Sequence, residues 1–353
     1  MNTRMKQLSL IFSFTFLLTH DASAATKIPV KDVSLFAKSL PEFKEDPWNR
    51  ESEGNQISGV VRVFFQDSRE HFWFGGERGL QRYDGTALVV YDIRDEFDKG
   101  HTVKAIAEDR DGNIWVAATN GLFKYDGTYF TRFSVEDGLN SNDVWDVLVD
   151  SSGSIWVATF DGACRIDGDT FTPISLPAAT ERDYTKGVWG PNVVWSITED
   201  RAGKLWFIAE SGVYMYDTET LSEVSATELG PLGNVSGVLG DKNGRIWFAT
   251  RDGLVLFDEG TFTNITQREG LGDTGVGALC EDSSGNIWFT AGNSGVYRYD
   301  GSSFTKFSTE DGLGALVYCI AEDSEERMWF VGRRGAYRYD QQSFVNITRD
   351  GPW

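Results

Sequence analysis

One tryptophan recurs along this chain at a nearly constant interval, and that interval limits what the chain can fold into. The positions are Trp73, Trp115, Trp156, Trp206, Trp247, Trp288 and Trp329, separated by 42, 41, 50, 41, 41 and 41 residues. A glycine follows each by six residues, or by seven in the sixth case: Gly79, Gly121, Gly162, Gly212, Gly253, Gly295 and Gly335. Four residues past every glycine, a large apolar residue precedes an aspartate, as in Tyr83-Asp84, Tyr125-Asp126, Tyr299-Asp300 and Tyr339-Asp340. Self-similarity at a period of about 40 residues marks an array of one small supersecondary unit.

The unit around Trp115 shows which one. Val103 to Ala107 is rich in β-formers and ends in the tight turn Asp109-Arg110-Asp111-Gly112-Asn113. Ile114 to Ala117 reads as a second strand, Leu122 to Tyr125 as a third and Tyr129 to Phe133 as a fourth, with Asn120-Gly121 and Asp126-Gly127 as turns. Asp-Gly suits a two-residue hairpin turn, where positive φ is needed. Four short antiparallel strands per repeat make a propeller blade, and no segment holds a helical period. The expected fold is therefore all-β, a seven-bladed β-propeller of four-stranded antiparallel blades. A ring also removes the exposed ends that a linear stack would have to cap. The seven repeated tryptophans are expected to fill the space between neighbouring sheets.

The repeats span about Ile57 to Thr348, which gives a propeller over 57–353 and an irregular lead-in over 25–56. Residues 1–24 read as a signal peptide: Arg4 and Lys6, an apolar run from Leu8 to Leu18, then Ala22-Ser23-Ala24. Cleavage near Ala24 places the mature chain in the periplasm or outside the cell. The net charge is −20, which repels nucleic acid and anionic lipid, so neither nucleic acid nor membrane insertion is expected. Cys164, Cys280 and Cys319 form no disulfide framework. Cys280 and Cys319 fall in equivalent strands, where a bridge could form, but all three are read as small buried hydrophobes.

With the units aligned, the sequence resembles the two-component regulator propeller repeat. Ile197-Thr198-Glu199-Asp200, Leu205-Trp206-Phe207, Gly212 and Tyr216-Asp217 carry the pattern in one unit. Leu279-Cys280-Glu281-Asp282, Ile287-Trp288-Phe289, Gly295 and Tyr299-Asp300-Gly301 carry it in another. The acidic link Glu136-Asp137-Gly138-Leu139 recurs as Glu269-Gly270-Leu271 and Glu310-Asp311-Gly312-Leu313. The resemblance implies a periplasmic, ligand-binding sensor propeller, of a kind often set before a membrane helix and a histidine kinase. Here the chain is expected to stop at Trp353 without either, so any kinase or receptor would be a separate membrane sensor.

Function has to come from a site rather than from the fold. The face that gathers the inter-blade links and the loops between second and third strands is the expected binding surface. Its loops carry Arg78, Asn120, Asp161, Glu210, Arg251, Arg333 and Arg334. The fourth unit is longer, and its extra link brings Tyr184 and Trp189. Trp145 and Trp195 occupy matching positions at the start of first strands, with Tyr318 at that position in the seventh unit. Aromatic faces beside Asn, Asp and Arg suit sugars or peptides, by stacking and hydrogen bonding. The bland alternative is that the long link packs on its own aromatics.

Catalytic constellations are thin. His71 and His101 sit in different units with no metal-ligand spacing, and the turn aspartates read as bonding their own backbone. The run Asp109 to Gly112 lacks the distal Glu of a calcium loop. No metal, no cofactor and no catalytic residue is assigned. The reading is a binding propeller that recognises a glycan, a peptide or a partner protein. The alternative is a propeller lyase or glycosidase acting on a polysaccharide or cyclic ester through carboxylates.

Overall fold

The computed structural model describes residues 26–29, 32–34, 55–77, 79–91, 93, 101–168, 170–177, 190–224, 235–272, 274–292, 295–314 and 316–353. The signal-peptide segment and the candidate residues Arg78, Tyr184 and Trp189 lie outside these.

Seven antiparallel sheets follow one another along the chain, each paired in the order first, second, third and fourth strand. Their first strands are Val61–Gln66, Val103–Glu108, Val144–Val149, Val194–Glu199, Val235–Gly240, Val276–Glu281 and Val317–Glu322. Each first strand packs against the next blade's first strand, and the seventh packs against the first, so these strands circle a central axis. The expected seven-bladed propeller is what forms. Among the described residues the only α-helix is the single turn Ile265–Arg268.

The core lies between blades. Second strands such as Ile114–Ala118 and Leu205–Ala209 are buried at every residue, because a sheet presses on both of their faces. Each repeated tryptophan reaches forward into the next blade: Trp206 meets Phe248 and Phe257, Trp288 meets Phe330 and Tyr339, and Trp329 stacks on Phe64 across the closure at 4.6 Å. Burying a large aromatic is worth a few kcal/mol per blade, of order 2–3.

Each indole N–H needs an acceptor in that dry seam. In every blade it donates to the aspartate that opens the turn between first and second strands. The seven bonds, Trp73–Asp67, Trp115–Asp109, Trp156–Asp150, Trp206–Asp200, Trp247–Asp241, Trp288–Asp282 and Trp329–Asp323, measure 2.7–2.9 Å. The other carboxylate oxygen accepts turn backbone N–H groups, as Asp241 does from Asn243 and Arg245. One side chain thus ties a turn to a seam. Burial, the largest influence, opposes ionisation of these groups. The indole, side-chain and backbone donors together outweigh it, and hold the Asp109, Asp150 and Asp241 carboxyls below the usual range.

A second set of bonds crosses the seams on the same turn face. Glu108 accepts from Ser68 of the preceding blade at 2.7 Å, Glu199 from the backbone N–H of Ser151 at 2.7 Å, and Glu281 from that of Lys242 at 2.6 Å. Gln66 exchanges two bonds with Ser324 and carries the pattern across the closure.

The ring is latched by chain segments from both ends. The Arg334 N–H donates to the Gly59 carbonyl and the Arg349 N–H to that of Asn55, both at 2.9 Å. Trp353 stacks on Tyr83 of the first blade with centroids 4.0 Å apart. The lead-in, expected to be irregular, supplies two strands. Thr26–Pro29 pairs with the outer strand of blade 2, and Asp32–Ser34 with that of blade 1. Both cover edges that would otherwise present unpaired backbone. The acidic links are turns: Asp137 accepts from Ser134, Asp311 from Ser308, and Leu139 and Leu313 drop into the core. Gly121 is required by its backbone, with φ at +144° and a position where a Cβ would lie 2.6 Å from the Phe133 carbonyl.

The three cysteines are unbridged, as expected, and burial pushes the Cys164 thiol up to about 12. Cys164 is fully buried, while Cys280 and Cys319 are half-buried.

Replacing Asp241 by Ala strands a buried indole N–H and two turn donors. It should lower unfolding free energy by about 1–3 kcal/mol in urea titrations at pH 7. Because the folded carboxyl ionises more readily than the unfolded one, its contribution is present above about pH 4 and is lost as pH falls through the depressed folded value. The gap between wild type and Asp241→Ala should therefore shrink below about pH 4. A gap that does not change with pH would contradict this assignment.

Candidate functional site

In every blade the pairing of first and second strands slips just after the leading valine, which leaves a bulge. The residues in the bulge are Arg62, Lys104, Trp145, Trp195, Ser236, Gly277 and Tyr318. Each valine pairs near the end of its second strand, as Val61 does with Gly76, so the bulges lie on the face of the inter-blade links and second-to-third-strand loops. First strands circle the axis, so the seven bulge residues surround the mouth of the central channel. Bulges re-aim side chains and often border functional sites.

The bulge residues touch one another. Trp145 and Trp195 meet edge to face with centroids 4.8 Å apart. The Lys104 ammonium sits 3.5 Å from the Trp145 ring centroid and donates to Asp143 at 2.5 Å. Burial, the larger influence, lowers the Lys104 pKa against the pull of Asp143. On the other side, the Arg62 guanidinium lies 5.3 Å from the Tyr318 ring centroid and pairs with Glu77 at 3.0 Å. Tyr318 is 36% exposed.

Where the bulge residue shrinks to Ser236 and Gly277, a cleft of about 380 Å³ opens, lined by Ser196, Ser236, Gly277, Thr290, Val317 and Tyr318 among others. A Cβ on Gly277 would lie 2.6 Å from the Thr290 hydroxyl, so a side chain there would press into that group. Ser236 donates to the Val276 carbonyl at 2.8 Å, and Ser196 to the Asp146 carboxylate at 2.8 Å. Burial pushes the Asp146 carboxyl up, against bonds from Ile197, Ser196 and Val147. A larger groove between blades 6 and 7, about 560 Å³, lies over Asp282 and Trp288, in the turn-and-seam machinery of the fold.

The structure brings Trp145, Trp195 and Tyr318 to one mouth and sets Arg251, Arg333 and Arg334 as exposed residues on the same face. Asp161 is there as well, taken by Asn192 at 2.7 Å. Asn120 and Glu210 are buried instead, at 9% and 3% exposure. The Asn120 backbone carbonyl accepts from Arg132, and the Glu210 backbone N–H donates to the Val193 carbonyl. Arg62, Lys104, Ser236 and Gly277 escaped the sequence reading. The available signal was the register itself, since each of the seven bulge residues follows a valine and precedes a buried or half-buried apolar residue by two.

His71 shares Asp67 with Trp73 on the opposite face, and His101 is buried. Among the described residues no group of three or more His, Cys, Asp or Glu converges to hold a metal ion. Nor is any helix there long and apolar enough to cross a membrane.

The family model described as two component regulator propeller matches at residues 99–120, 138–161, 230–252 and 270–293, and so bears out the resemblance. No curated protein matches the chain in sequence. Among solved structures, the extracellular domain of a hybrid two component system from B. thetaiotaomicron is 23% identical, with TM-score 0.64 over 79% of this chain. This chain spans 39% of that structure. A catalytically inactive virginiamycin B lyase from Staphylococcus aureus with quinupristin is 13% identical, with TM-score 0.64 over 88% of this chain and 98% of that one. YCF48 bound to D1 peptide is 12% identical, with TM-score 0.61 over 80% of this chain and 95% of that one. At these identities the likeness is one of fold.

Asp146 gives a test at the mouth. A carboxyl raised in the fold contributes its stability below about pH 4 and loses it as pH rises through the folded value. Asp146→Asn removes that loss. Its unfolding free energy relative to wild type should rise between pH 4 and pH 7 in urea titrations. A constant difference would show that the fold does not raise the carboxyl's affinity for protons.

Proposed function

We propose that this ring, whose blades carry two component regulator propeller repeats, is an extracytoplasmic recognition module that binds its ligand over the mouth of the central channel. One observation carries the reading. Seven equivalent positions follow a valine that never changes, yet they hold Arg, Lys, Trp, Trp, Ser, Gly and Tyr. Packing demands repetition, as the valines and the repeated tryptophans show. Variation at the bulge positions around the axis is what an asymmetric ligand requires of a symmetric scaffold.

The chemistry of the mouth suits a glycan or a peptide. Exposed Tyr318 offers a stacking surface at the mouth that the Trp145–Trp195 pair shares, and the neighbouring hydroxyls and cations offer directional partners. In this reading the signal peptide delivers the chain to the periplasm or the exterior. A signal would pass by docking on a separate membrane sensor. The long link with Tyr184 and Trp189 is proposed to border the same mouth.

A lyase or glycosidase is the second reading, favoured by the fold shared with virginiamycin B lyase. It needs an acid–base pair at the mouth. Glu210 is buried, Asp161 is held by Asn192, His101 is buried and His71 serves a turn on the far side. Recognition without turnover is the better supported reading.

The test is calorimetric titration of glycans and peptides chosen from an array. The triple variant Trp145→Ala, Trp195→Ala, Tyr318→Ala should weaken binding at least about tenfold, some 1.4 kcal/mol, with an unchanged circular dichroism spectrum. Undiminished affinity in a folded triple variant would remove the mouth as the site. Turnover of a polysaccharide by the wild type would promote the second reading.

A further inference from the structure

The cleft where the mouth narrows to Ser236 and Gly277 has a neutral floor and a basic rim. Its lining contains no charged side chain. Arg251 and Arg333, both exposed, belong to the second-to-third-strand loops of blades 5 and 7, the two blades that flank Gly277's blade 6. The Arg251 carbonyl lies 3.4 Å from where a Cβ on Gly275 would be, two residues before Gly277. The Arg333 N–H donates to the Leu316 carbonyl at 3.0 Å, two residues before Tyr318. A third cation, Arg62, lies against Tyr318. This clustering runs against the composition, which has 53 acidic residues to 33 Lys and Arg. Of the nearby carboxylates, Glu77 is paired with Arg62, Asp252 is half-buried in its own turn, and Asp146, behind Ser196, accepts from Ser196, Ile197 and Val147.

The same rim holds an outlier. Leu316 has φ at +54°, a conformation that a bulky side chain rarely takes, and it is 37% exposed. Its carbonyl is held by Arg333, so the strain is fixed by the neighbouring loop. Leu316 and Tyr318 are the exposed large apolar residues at this edge.

The floor discriminates between ligands. The Ser236 and Ser196 hydroxyl hydrogens are already donated, to Val276 and Asp146, and Thr290 accepts the Ala278 N–H at 3.0 Å. The serine oxygens are left as acceptors. They suit a ligand dense in hydrogen-bond donors: a sugar ring supplies several O–H groups, whereas a peptide backbone supplies one N–H per residue. Planar guanidinium groups at the rim suit carboxylates.

We infer that this cleft takes an acidic oligosaccharide, with one sugar ring against Tyr318 and Leu316, its hydroxyls on Ser196 and Ser236, and its carboxylates facing Arg251 and Arg333. The inference rests on the mouth being a recognition surface, and it goes further by naming the ligand class.

The experiment is calorimetric titration of the full mature chain with tetrasaccharides of galacturonate, glucuronate and mannuronate, with the methyl ester of each, and with an octa-glutamate peptide. At least one uronate should bind, and its methyl ester should bind at least about tenfold more weakly. Raising NaCl from 50 to 500 mM should weaken the uronate about tenfold, since screening shortens the reach of exposed charges. Arg251→Gln and Arg333→Gln, which alter only exposed head groups, should each cost about fivefold for the uronate and little for the ester. Equal binding of acid and ester, or arginine variants that bind like wild type, would overturn the acidic assignment and leave the mouth reading standing. Preferential binding of the peptide would overturn the sugar. If none of the uronates binds, the inference falls. If glycan and peptide arrays are blank as well, the mouth reading falls with it.

Discussion

A single carboxylate per blade performs two tasks on which the rest of the molecule depends. One oxygen gathers the N–H groups of a tight turn, and the other receives an indole N–H buried in the seam six residues on. Without the carboxylate the indole would have to bury an unsatisfied donor, at a cost comparable to part of what the ring's burial contributes. With it, a large aromatic surface can lie flat between two sheets and still be polar-satisfied. The arrangement recurs in all seven blades and so lines every seam of the ring.

The axis inherits a consequence. Since the seams are secured by second-strand tryptophans and turn aspartates, the first strand has little to do at its leading end beyond seating a valine. The bulge after that valine turns the following residue toward the channel mouth. That residue carries less of the packing than the valine or the repeated tryptophan, so its identity can differ from blade to blade at small cost to stability. The contacts among Arg62, Tyr318, Lys104, Trp145 and Trp195 show that the mouth is organised, and the small residues Ser236 and Gly277 show where it opens. The symmetric frame thereby holds an asymmetric surface.

Most of the fold was legible in the sequence because the repeat is strong at the positions that bury, and burial is what composition and spacing report. The lead-in strands were not legible, since Thr26–Pro29 and Asp32–Ser34 pair with blade edges distant in sequence. Of the site, the aromatic members could be seen because tryptophan outside the repeat position is conspicuous. Arg62, Lys104, Ser236 and Gly277 carry no comparable signal, since charged and small residues recur throughout the chain. Only the bulge, which shifts strand burial away from simple alternation, makes them equivalent to Trp145. Asn120 and Glu210 differ in the opposite sense: polar loop residues are expected in water, whereas these two are buried.

The coupling of indole to carboxylate is open to direct observation by hydrogen exchange of the indole N–H groups, followed by nuclear magnetic resonance on tryptophan-labelled protein. The chain has 12 tryptophans, and assignment by single Trp→Phe replacements would identify the seven of the repeat. Those seven should exchange slowly as a group, at rates limited by opening of the ring. If several of them exchange as fast as a free indole while the protein stays folded, the seams are not sealed in this way, and the mouth they are said to frame loses its physical basis.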